Sequence, residues 1–235
     1  PSTLSESDHD TLYQRAFDLY QQNAKLKSPK AHLELLGDNL RSLVPEIDKI
    51  LNDSAVDDAI RSILGDHYIL HPHHYVHKSL KVDQVFHQDG NLPWNERGHY
   101  RSHRPDWLML FYYPQNVDST NGPTEIVRST QYWTKNFETK EGWHSNDSLD
   151  RDFQDVMSSD DLSLRDRRQQ KALDSLGVPD LKRDFIHVPK GSVVIGNYDL
   201  IHRGSRKLPG SAPRFMYKFY FARSQEPTSP SWAHS

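Results

Sequence analysis

The pair His87-Gln-Asp89 has the residue types and the spacing to do chemistry. Alternate residues of a strand share a face, so these two would set an imidazole and a carboxylate side by side at a strand end. Together they can hold two adjacent positions of one metal ion. The same spacing also fits an inert surface pair on a strand edge. A third ligand is offered by His202, in Tyr198-Asp-Leu-Ile-His202-Arg-Gly204, which follows the run Ser192–Ile195 and is expected on a late strand. Two His and one carboxylate leave three metal positions open, which is the facial triad of non-haem Fe(II) oxygenases. Such an open face takes a bidentate 2-oxo acid and then dioxygen. The plainer reading makes His202 a capping residue in a glycine turn.

Arg214 opens the segment Arg214–Ala222, in which Phe215, Tyr217, Phe219 and Phe221 alternate with Met216, Lys218 and Tyr220. A guanidinium can grip a carboxylate through two parallel N–H bonds, which Lys cannot reproduce. An Arg at a strand start is usually solvated, and the nearness of His202 in sequence is what gives this one meaning. Arg203, Arg206 and Lys207 cluster beside His202 and either draw in an anion or form a solvated turn. Asn197 and Tyr112 are candidates to orient the ligands from behind.

A rival cluster is His71-Pro-His73-His74-Tyr-Val-His77, with four His in seven residues. A cupin-like H-x-H metal site begins this way, and the chain would then be a metalloenzyme independent of any 2-oxo acid. The competing reading, a strand whose histidines line a pocket mouth or face solvent, is favoured because no Glu and His pair follows at suitable spacing. Tyr75, Trp94 and Trp107 are the candidate substrate contacts.

Composition narrows the classes. Among 235 residues there are 14 His and no Cys. Without Cys, disulfides, thiolate zinc sites, iron–sulfur clusters and Cys nucleophiles are excluded, so any metal must use His, Asp, Glu or water. The formal charge of −3 is too balanced for a protein that wraps nucleic acid. A mean hydropathy of −0.83 and the lack of a long apolar run argue against a membrane span. With no secretory signal visible, a soluble cytoplasmic protein is expected.

The elements that must position these residues come in two kinds. To about residue 65 the pattern is helical: Leu12, Ala16, Phe17 and Tyr20 recur at helical spacing after a cap-rich start at Leu4–Asp8. Further helical segments are expected at His32–Leu43, Pro45–Leu51 and Ala55–Leu64, with Gly65 as the stop. From Asp66 the runs are short and rich in β-branched and aromatic residues. They are Tyr68–Leu70, Tyr75–His77, Val82–His87, Trp107–Tyr113, Thr124–Arg128, Phe185–Val188, Ser192–Ile195 and Arg214–Ala222. Turn signals such as Asp89-Gly90, Asn121-Gly122-Pro123 and Pro189-Lys-Gly191 separate them. Short strands at irregular spacing suggest an antiparallel sandwich or barrel. Between Thr134 and Gly177 the strands stop, and a charged, helix-textured insertion is expected there, a candidate lid over a pocket.

Taken in order, His87-Gln-Asp89, Asn121-Gly122-Pro-Thr124 and His202-Arg-Gly-Ser with Pro213-Arg214 resemble the phytanoyl-CoA dioxygenase family over roughly Tyr68–Arg223. The resemblance implies a mainly β fold, a jelly roll or double-stranded β-helix of cupin-like type, in one domain spanning 1–235. Residues 1–65 would be its helical part, 66–133 and 178–223 its core, and 134–177 its insertion. It implies Fe(II) held by His87, Asp89 and His202. 2-Oxoglutarate would be bound by Arg214, with Gln84 and Thr124 as further contacts. The reaction implied is hydroxylation of a small-molecule substrate with dioxygen, releasing succinate and carbon dioxide. Asp89 argues against the related halogenases, which have Gly or Ala at that position. After the Asn-Gly turn the chain departs from the family's Pro-Gly-Ser-His run and keeps only Ser129. The remaining alternative is a jelly-roll binding module without catalysis. Oligomeric state stays open.

Overall fold

The computed structural model describes residues 4–22, 39–72, 74–84, 89, 105–132 and 183–225. The expected insertion at 134–177, the segments around His87 and Trp94, and most of His32–Leu43 lie outside the described residues. Of the helices, α1 (Glu6–Gln22) starts at a reciprocal cap: Ser5 N–H donates to Asp8 Oδ2 (2.8 Å), and Asp8 N–H donates back to Ser5 Oγ (3.3 Å). His9, Leu12, Ala16 and Tyr20 form its buried stripe at three- and four-residue spacing. The short helices α2 (Asn39–Leu43) and α3 (Asp48–Leu51) flank a 3₁₀ turn at Pro45–Ile47.

Helix α4 (Ser54–Leu64) buries Val56, Ile60 and Leu64, one residue per turn. Asp53 caps it, its Oδ1 accepting from Ala55 N–H at 3.0 Å. Gly65 ends it at φ 89°, a left-handed conformation that glycine tolerates best, with its N–H on the Arg61 carbonyl. Asp53→Ala should therefore cost about 1 kcal/mol of stability in urea denaturation. No loss would mean that the cap does not hold the helix start. No helix among the described residues is long and apolar enough to cross a membrane.

Among the described residues eight strands follow: β1 (Tyr68–Leu70), β2 (Tyr75–Lys78), β3 (Trp107–Tyr113), β4 (Thr124–Val127), β5 (Arg183–Ile186), β6 (Ser192–Asn197), β7 (His202–Gly204) and β8 (Phe215–Arg223). They form two antiparallel sheets. One runs β1-β8-β3-β6, with β2 also on β8; the other runs β5-β4-β7. This is a mainly β, jelly-roll-like arrangement.

The alternation expected in the last strand is the key to the core. Phe215, Tyr217, Phe219 and Phe221 face the helices and pack with Leu12, Ala16, Ile60, Leu108 and Leu110. Met216 and Tyr220 face the other way, into a second core with Met109, Phe111, Tyr113 and Val117. Tyr217 Oη donates to the Leu12 carbonyl (2.7 Å), and Tyr20 Oη donates to the Val76 carbonyl (3.0 Å), so α1 is tied to the sheet by hydrogen bonds as well as apolar area.

One local expectation changes. Val82–Gln84, the described start of the run Val82–His87, is not strand. Gln84 N–H donates to the Gly204 carbonyl (2.9 Å), and the Gln84 side-chain Oε1 takes the Gly204 N–H (2.5 Å). The side chain thus occupies the place of a second backbone partner and ends the ladder. His202–Gly204, expected on a late strand with a glycine turn as the plainer reading, forms β7 on β4.

Candidate metal centre

β7 sets His202 on the inner side of the barrel, where its ring lies 5.9 Å from that of Phe111. The imidazole is buried, 4% exposed, and burial pushes its pKa down to about 4, with the nearby Asp89 carboxylate pulling the other way. It is therefore neutral near pH 7. Nδ1 lies 2.9 Å from the Leu200 carbonyl and must donate to it, which leaves the Nε2 lone pair as an acceptor. That lone pair lies 3.7 Å from Asp89 Oδ2. A neutral imidazole nitrogen beside a carboxylate oxygen is a donor set that suits iron or another first-row divalent metal.

A cation already lies between them. Lys218, on the inner face of β8, donates from Nζ to Asp89 Oδ2 (2.5 Å) and lies 3.3 Å from His202 Nε2. Tyr220 Oη also donates to Asp89 Oδ2, at 3.0 Å. Burial and the Asp89 charge raise the Tyr220 pKa well above that of a free phenol, so it stays a donor. The third expected ligand, His87, lies outside the described residues, and among the described residues no three His, Asp or Glu converge.

Arg214 forms the second station. It is 2% exposed rather than solvated. Its backbone N–H donates to Ser79 Oγ (2.9 Å), and its Nε donates to the Gly122 carbonyl (2.7 Å). Its Nη1 is buried with no hydrogen-bond partner, and among the described residues no carboxylate pairs with it. Gly122 makes the approach feasible: its φ is 83°, and a Cβ there would stand 2.6 Å from the Ser205 carbonyl. Thr124 lies nearby through Tyr113, whose Oη is 3.0 Å from Thr124 Oγ1 and whose ring lies 6.0 Å from the Arg214 guanidinium carbon. Gln84 lines the same crevice as His77, Gly204 and Arg214, although its carbonyl oxygen is taken by Gly204. The guanidinium, a hydroxyl and a neutral phenol make a pocket for a carboxylate.

The tentative substrate residues divide. Tyr75 stands opposite Lys218 in register, with its ring 5.5 Å from that of Tyr220. Trp107 packs on Tyr198 (5.6 Å) and His71 (5.4 Å) in the same inner wall. Trp94 lies outside the described residues. The His71–His77 cluster does not converge: His71 leans on Trp107 and Tyr220, whereas His74 packs on Phe219 in the helix-side core. His73 is outside the described residues.

Three further readings change. Tyr112 does not support the site; it faces the helices and hydrogen-bonds to His9 Nδ1 at 2.6 Å. Asn197 Oδ1 accepts from Asp199 N–H and so shapes the turn before β7. Arg203, expected to solicit an anion or solvent, is fully buried on the reverse face of β7. Its Nε donates to Glu125 Oε2 at 2.6 Å, and Asp83 lies 3.8 Å from its Nη1. Asp83 in turn accepts from Arg206 N–H (2.6 Å), and Thr130 Oγ1 accepts from Ile201 N–H (3.0 Å). These bonds anchor β7 on both sides and fix where His202 points. Lys218, Tyr220 and Tyr113 were not singled out as site residues; the alternation of their strands, which puts them on the inner face, was the available signal.

No protein-family model and no curated protein matches the sequence. Solved structures do match. HygX from Streptomyces hygroscopicus, with nickel and 2-oxoglutarate bound, is 16% identical at a TM-score of 0.56, covering 95% of this chain and 81% of that one. EctD from S. alaskensis with bound Fe is 14% identical at a TM-score of 0.62, covering 98% and 75%. The non-heme alpha ketoglutarate dependent epimerase SnoN from nogalamycin biosynthesis is 10% identical at 0.61, covering 99% and 81%. At these identities the likeness defines the fold: this chain is built on the same jelly-roll-like frame as those proteins.

Proposed function

We propose that the chain is an Fe(II)- and 2-oxoglutarate-dependent dioxygenase that hydroxylates a small molecule and releases succinate and carbon dioxide. One juxtaposition carries the reading. A neutral imidazole beside a carboxylate, His202 and Asp89, shares the inner face of the barrel with a buried Arg214 whose Nη1 has no hydrogen-bond partner among the described residues. A buried, unsatisfied guanidinium donor is costly unless a ligand completes it. Asp89, His202 and His87 would hold the iron, and Arg214 with Thr124 would hold the far carboxylate of 2-oxoglutarate. When bound, the pair supplies the oxidising chemistry. The protein's own work is positional. Tyr220 and β7 fix the ligand atoms, Tyr113 and Thr124 line the co-substrate end, and Tyr75 and Trp107 wall the inner surface. The fold shared with enzymes crystallised with these groups supports the reading. The motifs around His87 and Arg214 favour a phytanoyl-CoA dioxygenase-like hydroxylase within that group.

The test is slow succinate release from the full chain with Fe(II), 2-oxoglutarate and dioxygen. His202→Ala and His87→Ala should each abolish it together with Co(II) binding, followed by visible absorption. Co(II) binding unchanged in both variants would overturn the ligand assignment.

A further inference from the structure

We propose that Lys218 is an internal cation that competes with the metal: in the metal-free chain its ammonium holds the position between Asp89 and His202, and metal binds only as it withdraws. The inference rests on the reading of Asp89 and His202 as ligands.

Lys218 lies mid-strand in β8 and is 3% exposed. Lys is almost never buried at that depth without partners. Those partners are the atoms a metal would need. Its Nζ donates to Asp89 Oδ2 (2.5 Å) and lies 3.3 Å from His202 Nε2. Because His202 Nδ1 is committed to the Leu200 carbonyl, Nε2 is the imidazole's one remaining lone pair. The Phe111 and Tyr220 rings, 5.3 and 5.2 Å from Nζ, add a favourable cation–π environment for the ammonium. One lone pair cannot serve an ammonium proton and a metal bond together, and two cations cannot share one low-dielectric position. Occupancy by Lys218 and by metal is therefore mutually exclusive.

Two consequences follow. Asp89 keeps a counter-charge when metal is absent, so the metal-free chain need not bury a lone carboxylate. Metal affinity is set by the difference between the two cations and is lower than the ligand set alone would give.

The experiment is a Co(II) titration of the metal-free full chain, read by visible absorption, in wild type, Lys218→Met, Lys218→Gln and His202→Ala. Both Lys218 variants should bind Co(II) about tenfold or more tightly than wild type, in proportion to the competition removed. Metal-free Lys218→Met should also melt at a lower temperature than wild type, and Co(II) should raise its melting temperature by the larger amount. Equal Co(II) affinity in wild type and the Lys218 variants would overturn the competition while leaving the metal site standing. Absence of Co(II) binding in all four proteins would overturn the metal reading, and this inference with it. Should Lys218→Met fail to fold, Lys218→Gln decides by the same comparison. In wild type itself, the side-chain ¹⁵N resonance of a hydrogen-bonded lysine ammonium should be visible without metal and be lost or shifted on adding Zn(II); an unmoved resonance refutes the competition.

Discussion

Glu125→Ala should cost the fold about 3–5 kcal/mol, the largest stability loss expected of any single substitution in the described barrel. The side chain is fully buried on β4 and takes the Nε proton of Arg203, itself 0% exposed on β7. Arg183 of β5 approaches the other carboxylate oxygen at 3.3 Å. Glu125 thus joins the three strands of the smaller sheet. Its removal leaves Arg203 charged and dry, with Asp83 at 3.8 Å from its Nη1. Urea denaturation monitored by circular dichroism measures the loss. A change within about 0.5 kcal/mol, as for an ordinary surface substitution, would refute this account. A second variant separates stability from placement. Glu125→Leu with Arg203→Met replaces the ion pair by apolar groups of similar bulk, a kind of change that is often neutral or stabilising. The double variant should therefore recover most of the stability. If the pair also aims His202, Co(II) affinity will stay low in the recovered fold.

How much of this could be read in the sequence depends on how local the information is. Apolar and alternating runs are local, and they placed Trp107–Tyr113 and Arg214–Ala222 within a residue of β3 and β8. The buried stripe of α4 was equally plain, because Val56, Ile60 and Leu64 recur once per turn. Asp89 and His202 stood out as candidate ligands from residue type and strand placement, and the structure brings their polar atoms to 3.7 Å. What stayed hidden was pairing over long separations. Lys218 is an ordinary polar residue in an alternating strand until its partner, 129 residues earlier in sequence, is known. Arg203 looked solvated because Glu125, 78 residues away, carries no mark of its role. The bounds of β7 were hard to see because three residues hold too little pattern; they depend on β4 and on the side chains of Thr130 and Gln84. Gln84 shows the reverse case, a residue with good strand context whose own side chain ends the strand.

Arg214→Ala should lower 2-oxoglutarate affinity by about a hundredfold or more, since charge-assisted hydrogen bonds contribute about 1.5–3 kcal/mol each and a guanidinium can make two to one carboxylate. The geometry explains why the loss should be so concentrated. Arg214 Nε is already spent on the Gly122 carbonyl, which fixes the plane of the guanidinium. Nη1 is left buried and, among the described residues, without a hydrogen-bond partner, a donor held in place before any ligand arrives. Arg214→Lys keeps the charge but loses the planar fork, and the shorter reach of an ammonium in this crevice should recover only a small part of the affinity. Co(II) binding is the control. Arg214 touches neither Asp89 nor His202, so both variants should take up Co(II) as wild type does while failing to bind 2-oxoglutarate in calorimetric titrations of the Co(II)-loaded chain. Tyr113→Phe gives a graded case. It removes one hydroxyl from Thr124 and leaves the guanidinium intact, so its effect should be several-fold rather than a hundredfold. Wild-type 2-oxoglutarate affinity in Arg214→Ala would assign the guanidinium's Nη1 to some other anion and detach the co-substrate from this end of β8. Loss of Co(II) binding in the same variant would mean that the two stations are not independent. The clean separation expected instead, metal retained and diacid lost, follows from their placement at two points along one inner face, with Met216 between them.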